Sequence, residues 1–130
     1  MPVNMTTPGV HHVSLRVSDL ARSKKFYVET LGFKHLMDAD NISLFLAGGT
    51  AFGLRGPTEQ MPSNDAFNPH RIGVDHIALA CTDEKELKRV ADALAAARID
   101  NTGVKMDETL GKKYVAFKDP DRIAWEFYMA

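Results

Sequence analysis

One cysteine in 130 residues, Cys81, leaves no partner for an internal disulfide, so no covalent framework holds the chain together. No apolar run approaches the roughly 18 residues that a membrane-crossing helix needs. Met1 to Pro8 has neither a charged start nor an apolar middle, so an export signal is not expected either. Charge of one sign is also missing. The 16 Lys and Arg against 17 Asp and Glu give a net charge of −1, without the basic footprint of a nucleic-acid or anionic-membrane binder. These absences point to a cytoplasmic protein. A hydrophobic content of 45% lets one globular unit bury its own core, into which Cys81 fits as an apolar residue.

What is present is one phrase written twice. His12-Val-Ser-Leu-Arg-Val-Ser-Asp19 returns as His76-Ile-Ala-Leu-Ala-Cys-Thr-Asp83, aligned without a gap at an offset of 64 residues. Side chains alternate across a strand, so Val13, Leu15 and Val17 share one face while His12, Ser14 and Arg16 share the other. In the second copy Ile77, Leu79 and Cys81 oppose His76, Ala78 and Ala80. The apolar faces suit packing on a helix, and the polar or small faces suit a cavity. His11 falls on the wrong face, so His12 is the candidate of that adjacent pair.

The rest of the chain repeats the same order. A strand over Val10 to Val17 leads to a cap at Ser18 or Asp19, a helix from Ala21 to Leu31 and a stop at Gly32. Short strands are expected at Phe33 to Ala39, Ile42 to Ala47 and Ala51 to Arg55, with turns at Asp40-Asn41 and Gly48-Gly49. The first module thus covers about 9–56, and a Pro- and Asn-rich connector follows over 57–71. The second module, about 72–130, has its strand at Val74 to Cys81, a cap at Asp83 and a helix from Glu84 to Arg98. Strands near Thr102 to Met106, Lys113 to Lys118 and Ile123 to Met129 complete it, with a turn at Asp119-Pro120-Asp121. Residues 1–130 therefore read as one α+β domain of two βαβββ modules.

In the closing strand Ile123, Trp125, Phe127 and Met129 share a face, leaving Ala124, Glu126 and Tyr128 on the other. A carboxylate in so apolar a strand is costly to bury alone, and a cation held with two imidazoles removes that cost. His12, His76 and Glu126 together make a facial ligand set for Fe(II), Mn, Zn, Ni or Co, with open positions for substrate. Arg16, on the same face as His12, is expected to pair with an anionic substrate or with Glu126.

These residues carry a family resemblance. The motifs His12-Val-Ser-Leu-Arg-Val-Ser-Asp-Leu, Phe26-Tyr27 with Leu31-Gly32-Phe33, Val74-Asp-His76-Ile-Ala-Leu, and Asp119-Pro-Asp ahead of Trp125-Glu126 resemble the vicinal oxygen chelate superfamily. That superfamily includes glyoxalase I, fosfomycin-resistance enzymes, extradiol dioxygenases, methylmalonyl-CoA epimerase and bleomycin-binding proteins. The resemblance runs from Gly9 to Met129. It implies sheets curled around a central metal cavity, metal ligands at His12, His76 and Glu126, and a homodimer.

The departures shape the expected chemistry. Glyoxalase I and the epimerase have a glutamate in the last strand of the first module, where this chain has Gly53, and without it their proton-shuttling mechanism loses a member unless Glu59 reaches in from the connector. Extradiol enzymes have a tyrosine three residues before the Asp-Pro-Asp turn. Here that position is Ala116, with Tyr114 two residues away on the same face. Ser14 is similar to the threonine beside the metal in fosfomycin-resistance enzymes, although this chain ends four residues after Glu126. Tyr114, Ser14 and His70 are the candidate catalytic residues. His70 is placed near a cavity mouth as acid or base, and Tyr114 donates to a metal-bound oxyanion. The expected activity is that of a divalent-metal enzyme with lyase, isomerase or ring-cleaving dioxygenase chemistry on a substrate with vicinal oxygens. The competing expectation is a drug-binding resistance protein without catalysis.

Overall fold

Each copy of the repeated phrase becomes a strand, and an aspartate caps the helix after it. Asp19 accepts from the Arg22 backbone N–H, and Asp83 accepts from that of Lys85, each satisfying a donor that the first helical turn leaves free. The computed structural model describes all 130 residues, which divide into two units, Met1–Pro57 and Thr58–Ala130. Both units have the order strand, helix, three strands, and each carries a four-stranded mixed sheet. No helix is long and apolar enough to cross a membrane.

In the first unit β1 (His12–Arg16) runs parallel to β4 (Thr50–Arg55), followed by β3 (Ile42–Ala47) and β2 (Lys34–Ala39) in antiparallel order. Tyr27, Phe33 and Phe52 each stack on Phe45, with ring centroids 4.8 to 5.4 Å apart, and form the core. Two features depart from the expected regular elements. The helix α1 (Leu20–Lys24) widens into a π-helical stretch, Lys25–Thr30, closed by the bond from Leu31 N–H to the Phe26 carbonyl. A wider turn lowers the angle between neighbouring residues, which lets consecutive Phe26 and Tyr27 both face inward. In β2 the register shifts between His35 and Met37, a bulge. Residues three apart in a regular strand point to opposite faces, yet His35 Nε2 meets Asp38 Oδ1 at 2.9 Å because the extra residue restores a common side.

In the second unit β5 (Ile77–Cys81) runs parallel to β8 (Ala124–Met129), with β7 (Lys112–Lys118) and β6 (Lys105–Asp107) beyond it. The helix α2 (Glu84–Ala96) buries Leu87, Ala91 and Leu94, one stripe of its surface. It ends before the expected Arg98 because Arg98 adopts a left-handed φ of 59°, the conformation that terminates helices. β6 begins later than expected because Gly103 has φ of 66° and the Thr102 hydroxyl accepts from Ala116 N–H, interrupting a ladder between 101 and 104. The lone cysteine, Cys81, is buried.

The Asp119 carboxylate, 3% exposed, accepts from the backbone N–H groups of Asp121 and Ile123 at 2.9 and 2.8 Å, so it sets the turn that launches β8. A charged acceptor bond is worth about 1.5–3 kcal/mol. Asp119→Ala is therefore expected to lower unfolding free energy by about 3 kcal/mol, read as a lower urea midpoint at unchanged slope. A loss below about 1 kcal/mol contradicts the account.

Candidate active site

In the first unit, alternation places His12, Ser14 and Arg16 at exposed positions of β1, with Leu15 and Val17 buried between and beyond them. His12 Nδ1 lies 2.8 Å from His11 Nδ1, the rings at 83°, which leaves His12 Nε2 outside the contact. Arg16 donates to the Gly56 carbonyl at 2.7 Å, a backbone contact that the alternation of the strand does not reveal.

In the second unit, His76 stands directly before β5 and meets two carboxylates. Its Nδ1 is 2.7 Å from Asp75 Oδ1, and its Nε2 is 3.3 Å from Glu126 Oε1. A carboxylate on Nδ1 fixes that nitrogen as the donor, so a neutral ring turns the Nε2 lone pair toward Glu126. Two electron-rich atoms then face each other, an arrangement that either a proton on Nε2 or a cation between them satisfies. Donors at about 2.1 Å from one ion and 90–110° apart are themselves about 3.0–3.4 Å apart, a range that contains the observed contact. This pair fits two ligands of a divalent ion. No third His, Cys, Asp or Glu joins it in a ligating cluster within the unit.

Two cavities share His76 and Glu126. One, of about 560 Å³, is also lined by Ala78, Asp107, Tyr114 and Tyr128, and the other, of about 350 Å³, by Ala116, Lys118 and Arg122 among others. Tyr114 and Tyr128 stack at 5.9 Å. The Tyr128 hydroxyl donates to Asp107 at 2.7 Å, and Tyr114 makes no such hydrogen bond, so Tyr114 offers its proton to the cavity. His70 is exposed and lines neither cavity, although its neighbour Pro69 lines the smaller one. Glu59 is exposed in the segment before it.

Partial burial and the Asp107 carboxylate push the Tyr128 phenol up to about 12, and the same hydrogen bond holds Asp107 below the usual carboxylate range. The phenol's raised value contributes stability that is complete below about pH 10 and lost as pH climbs toward 12. The depressed carboxyl contributes above the ordinary carboxylate range and loses its share as pH falls through the lowered value. Tyr128→Phe should therefore remove a late phenol from the ultraviolet titration and let the Asp107 carboxyl resonance titrate at higher pH. An unchanged Asp107 titration contradicts the contact.

The ladder identifies the missing first-module carboxylate. Ser14 pairs with Gly53 and Gly53 with Leu44, whereas the equivalent register in the second unit pairs Ala78 with Glu126 and Glu126 with Ala116. A Cβ on Gly53 would lie 3.1 Å from both Ser14 Oγ and Leu44 Cδ2. The second unit has two alanines around its glutamate, and the first has two larger side chains around a glycine. Gly53→Glu alone is expected to cost about 1–3 kcal/mol through overpacking, and Ser14→Ala with Leu44→Ala should recover more than half. Equal stability of the single and triple variants in urea would contradict this steric account.

A pair of βαβββ units with a histidine opening each copy and a carboxylate in the last strand is the architecture of the glyoxalase fold. The chain belongs to the Glyoxalase/Bleomycin resistance protein/Dioxygenase superfamily, matched over residues 9–127. It is similar to the protein YwkD of Bacillus subtilis, 26% identical with 95% of this chain and 98% of the relative covered. It is similar also to the metallothiol transferase FosB of Lysinibacillus sphaericus, 27% identical over 95% of this chain and 84% of the relative. The crystal structure of a glyoxylase/bleomycin resistance protein/dioxygenase domain from Frankia sp. EAN1pec superposes with a TM-score of 0.81 at 31% identity, covering 96% of this chain and 99% of that one. The superfamily thus includes enzymes.

Proposed function

We propose that this protein is a divalent-metal-dependent enzyme that holds a small substrate through two adjacent oxygens and promotes addition or lyase chemistry on it. The observation that carries this reading is the 3.3 Å contact between His76 Nε2 and Glu126 Oε1, with Asp75 fixing the imidazole from behind. His12 is the proposed third ligand, supported by its equivalence to His76 in the repeat and by a preceding residue on its Nδ1 in both copies. The ion, whether iron, manganese, zinc, nickel or cobalt, supplies Lewis acidity toward substrate oxygens when bound.

This chain's own residues do the rest. Tyr114 donates its phenolic proton to a substrate oxygen in the larger cavity, and Ser14 provides a hydroxyl on the face that also carries His12. With Gly53 opposite Ser14, the last strand of the first unit supplies no carboxylate base, which favours nucleophilic addition over proton shuttling. Thiol transfer, the activity in the name of FosB, belongs to that reaction class. The active species is proposed to be a homodimer.

Elemental analysis of the purified protein tests the reading, with one tightly held divalent ion per chain expected. A protein without stoichiometric metal that binds a flat aromatic antibiotic tightly overturns it in favour of a drug-sequestering role.

A further inference from the structure

The smaller cavity beside His76 and Glu126 contains a cation that has no partner. Lys118 ends β7 two residues beyond Ala116, and Ala116 pairs directly with Glu126. Alternation therefore puts Lys118 on the same sheet face as Glu126, about 7 Å along the strand. It is half-buried, it lines the cavity, and no carboxylate lies within ion-pair distance of it. The carboxylates that line the same cavity are engaged elsewhere. Asp75 holds His76 Nδ1 at 2.7 Å, Glu126 faces His76 Nε2, and Asp100 lies 3.8 Å from Arg122. An ammonium on a cavity wall with no carboxylate of its own leaves its charge available to an anionic group.

A second observation points to the same place. Arg122, the other cation lining the cavity, has a left-handed φ of 69° in the turn after Asp119-Pro120-Asp121. A residue with a side chain costs about 1–2 kcal/mol there, where glycine costs nothing. The protein thus places a guanidinium on this rim at the expense of backbone strain, and its ion pair with Asp100 is loose and exposed. A strained residue with a charged side chain on a cavity rim motivates a binding role for that side chain.

We propose that Lys118 and Arg122 form an anion subsite, so that the substrate carries a carboxylate or phosphoryl group in the same cavity as the oxygens held at His76 and Glu126. This substrate class rests on the metal-enzyme reading above, but the anion subsite itself is testable without metal.

In the first arm, inorganic phosphate is titrated into metal-free protein and followed by amide resonances. The expected shifts centre on Lys118, Arg122 and the adjoining Asn101 and Thr102. Affinity should fall at least fivefold in Lys118→Gln and be retained in Lys118→Arg. Arg122→Gly should weaken phosphate binding while raising or preserving the melting temperature, an outcome that a merely structural role for the arginine does not give. Shifts centred elsewhere, or equal affinity in Lys118→Gln, overturn the proposal whether or not the protein binds metal.

In the second arm, manganese-loaded protein is offered 2-hydroxyglutarate against 2-hydroxyvalerate, and 3-phosphoglycerate against glycerate. A preference of tenfold or more for the charged member, lost in Lys118→Gln, is expected. The pair showing the larger preference identifies carboxylate or phosphoryl as the recognised group. No preference in either pair overturns the substrate class. A protein that binds phosphate at Lys118 but no metal keeps the subsite and loses the enzymatic reading, so the two failures are distinct.

Discussion

Trp125→Ala is expected to lower the unfolding free energy by about 3–5 kcal/mol, the usual cost of emptying a large aromatic site in a packed core. Trp125 is 1% exposed, pairs in register with Ile77 on one side and Phe117 on the other, and stacks on Phe117 at 6.4 Å. A domain of ordinary stability has about 5–15 kcal/mol in total, so this one substitution removes a large share. Urea unfolding followed by circular dichroism reads the loss, since the chain has one tryptophan and the variant has no indole fluorescence. Trp125→Phe should retain more than half of the lost stability. A Trp125→Ala loss below about 1 kcal/mol would mean that the second unit's core is not built on this strand face. The effect reaches the site because Glu126 is the next residue, and its aim depends on β8 staying seated.

Glu126→Gln keeps the shape of the side chain and removes its charge. On the metal reading, affinity for the divalent ion falls by more than about 100-fold, since partners outside the ligand shell are alone worth about 10–100-fold. His76→Ala should lose as much. The double variant should lose less than the sum of the two, because removing either member already spoils the shared ion. Calorimetric titration of the metal-free variants with zinc or manganese measures all three. Wild-type affinity in Glu126→Gln would sink the ligand assignment and leave the 3.3 Å contact as an imidazolium–carboxylate pair. Melting temperatures of the metal-free proteins separate loss of ligation from loss of fold, and little change is expected for Glu126→Gln.

Much of this was legible in the sequence because strand alternation is a local rule. The His12, Ser14, Arg16 face, the His76, Ala78, Ala80 face and the buried Trp125 beside a half-buried Glu126 all follow from counting by twos. Aspartate caps and the turns at Asn41 and Gly48, both with positive φ, are equally local. The illegible parts depend on several elements at once. Nothing in Phe26-Tyr27 announces a π-helical turn, since it arises from two neighbouring rings competing for one core. The Tyr128 to Asp107 bond crosses from β8 to β6 over the intervening β7, and Asp107 lies beyond the strand expected at 102–106. Asp75 is adjacent to His76 in sequence, but adjacent strand residues point apart. Its contact exists because both precede the first laddered residue, Ile77.

The three touching positions Ser14, Gly53 and Leu44 also bear on descent. If both halves of this chain began as copies of one ancestor, the half that gave up its acid let its neighbours grow into the vacated room. Returning the acid by one substitution now meets two occupied walls, so every single step back is worse than standing still. On that descent the loss would work as a ratchet, with crowding alone enough to keep the two halves from converging again.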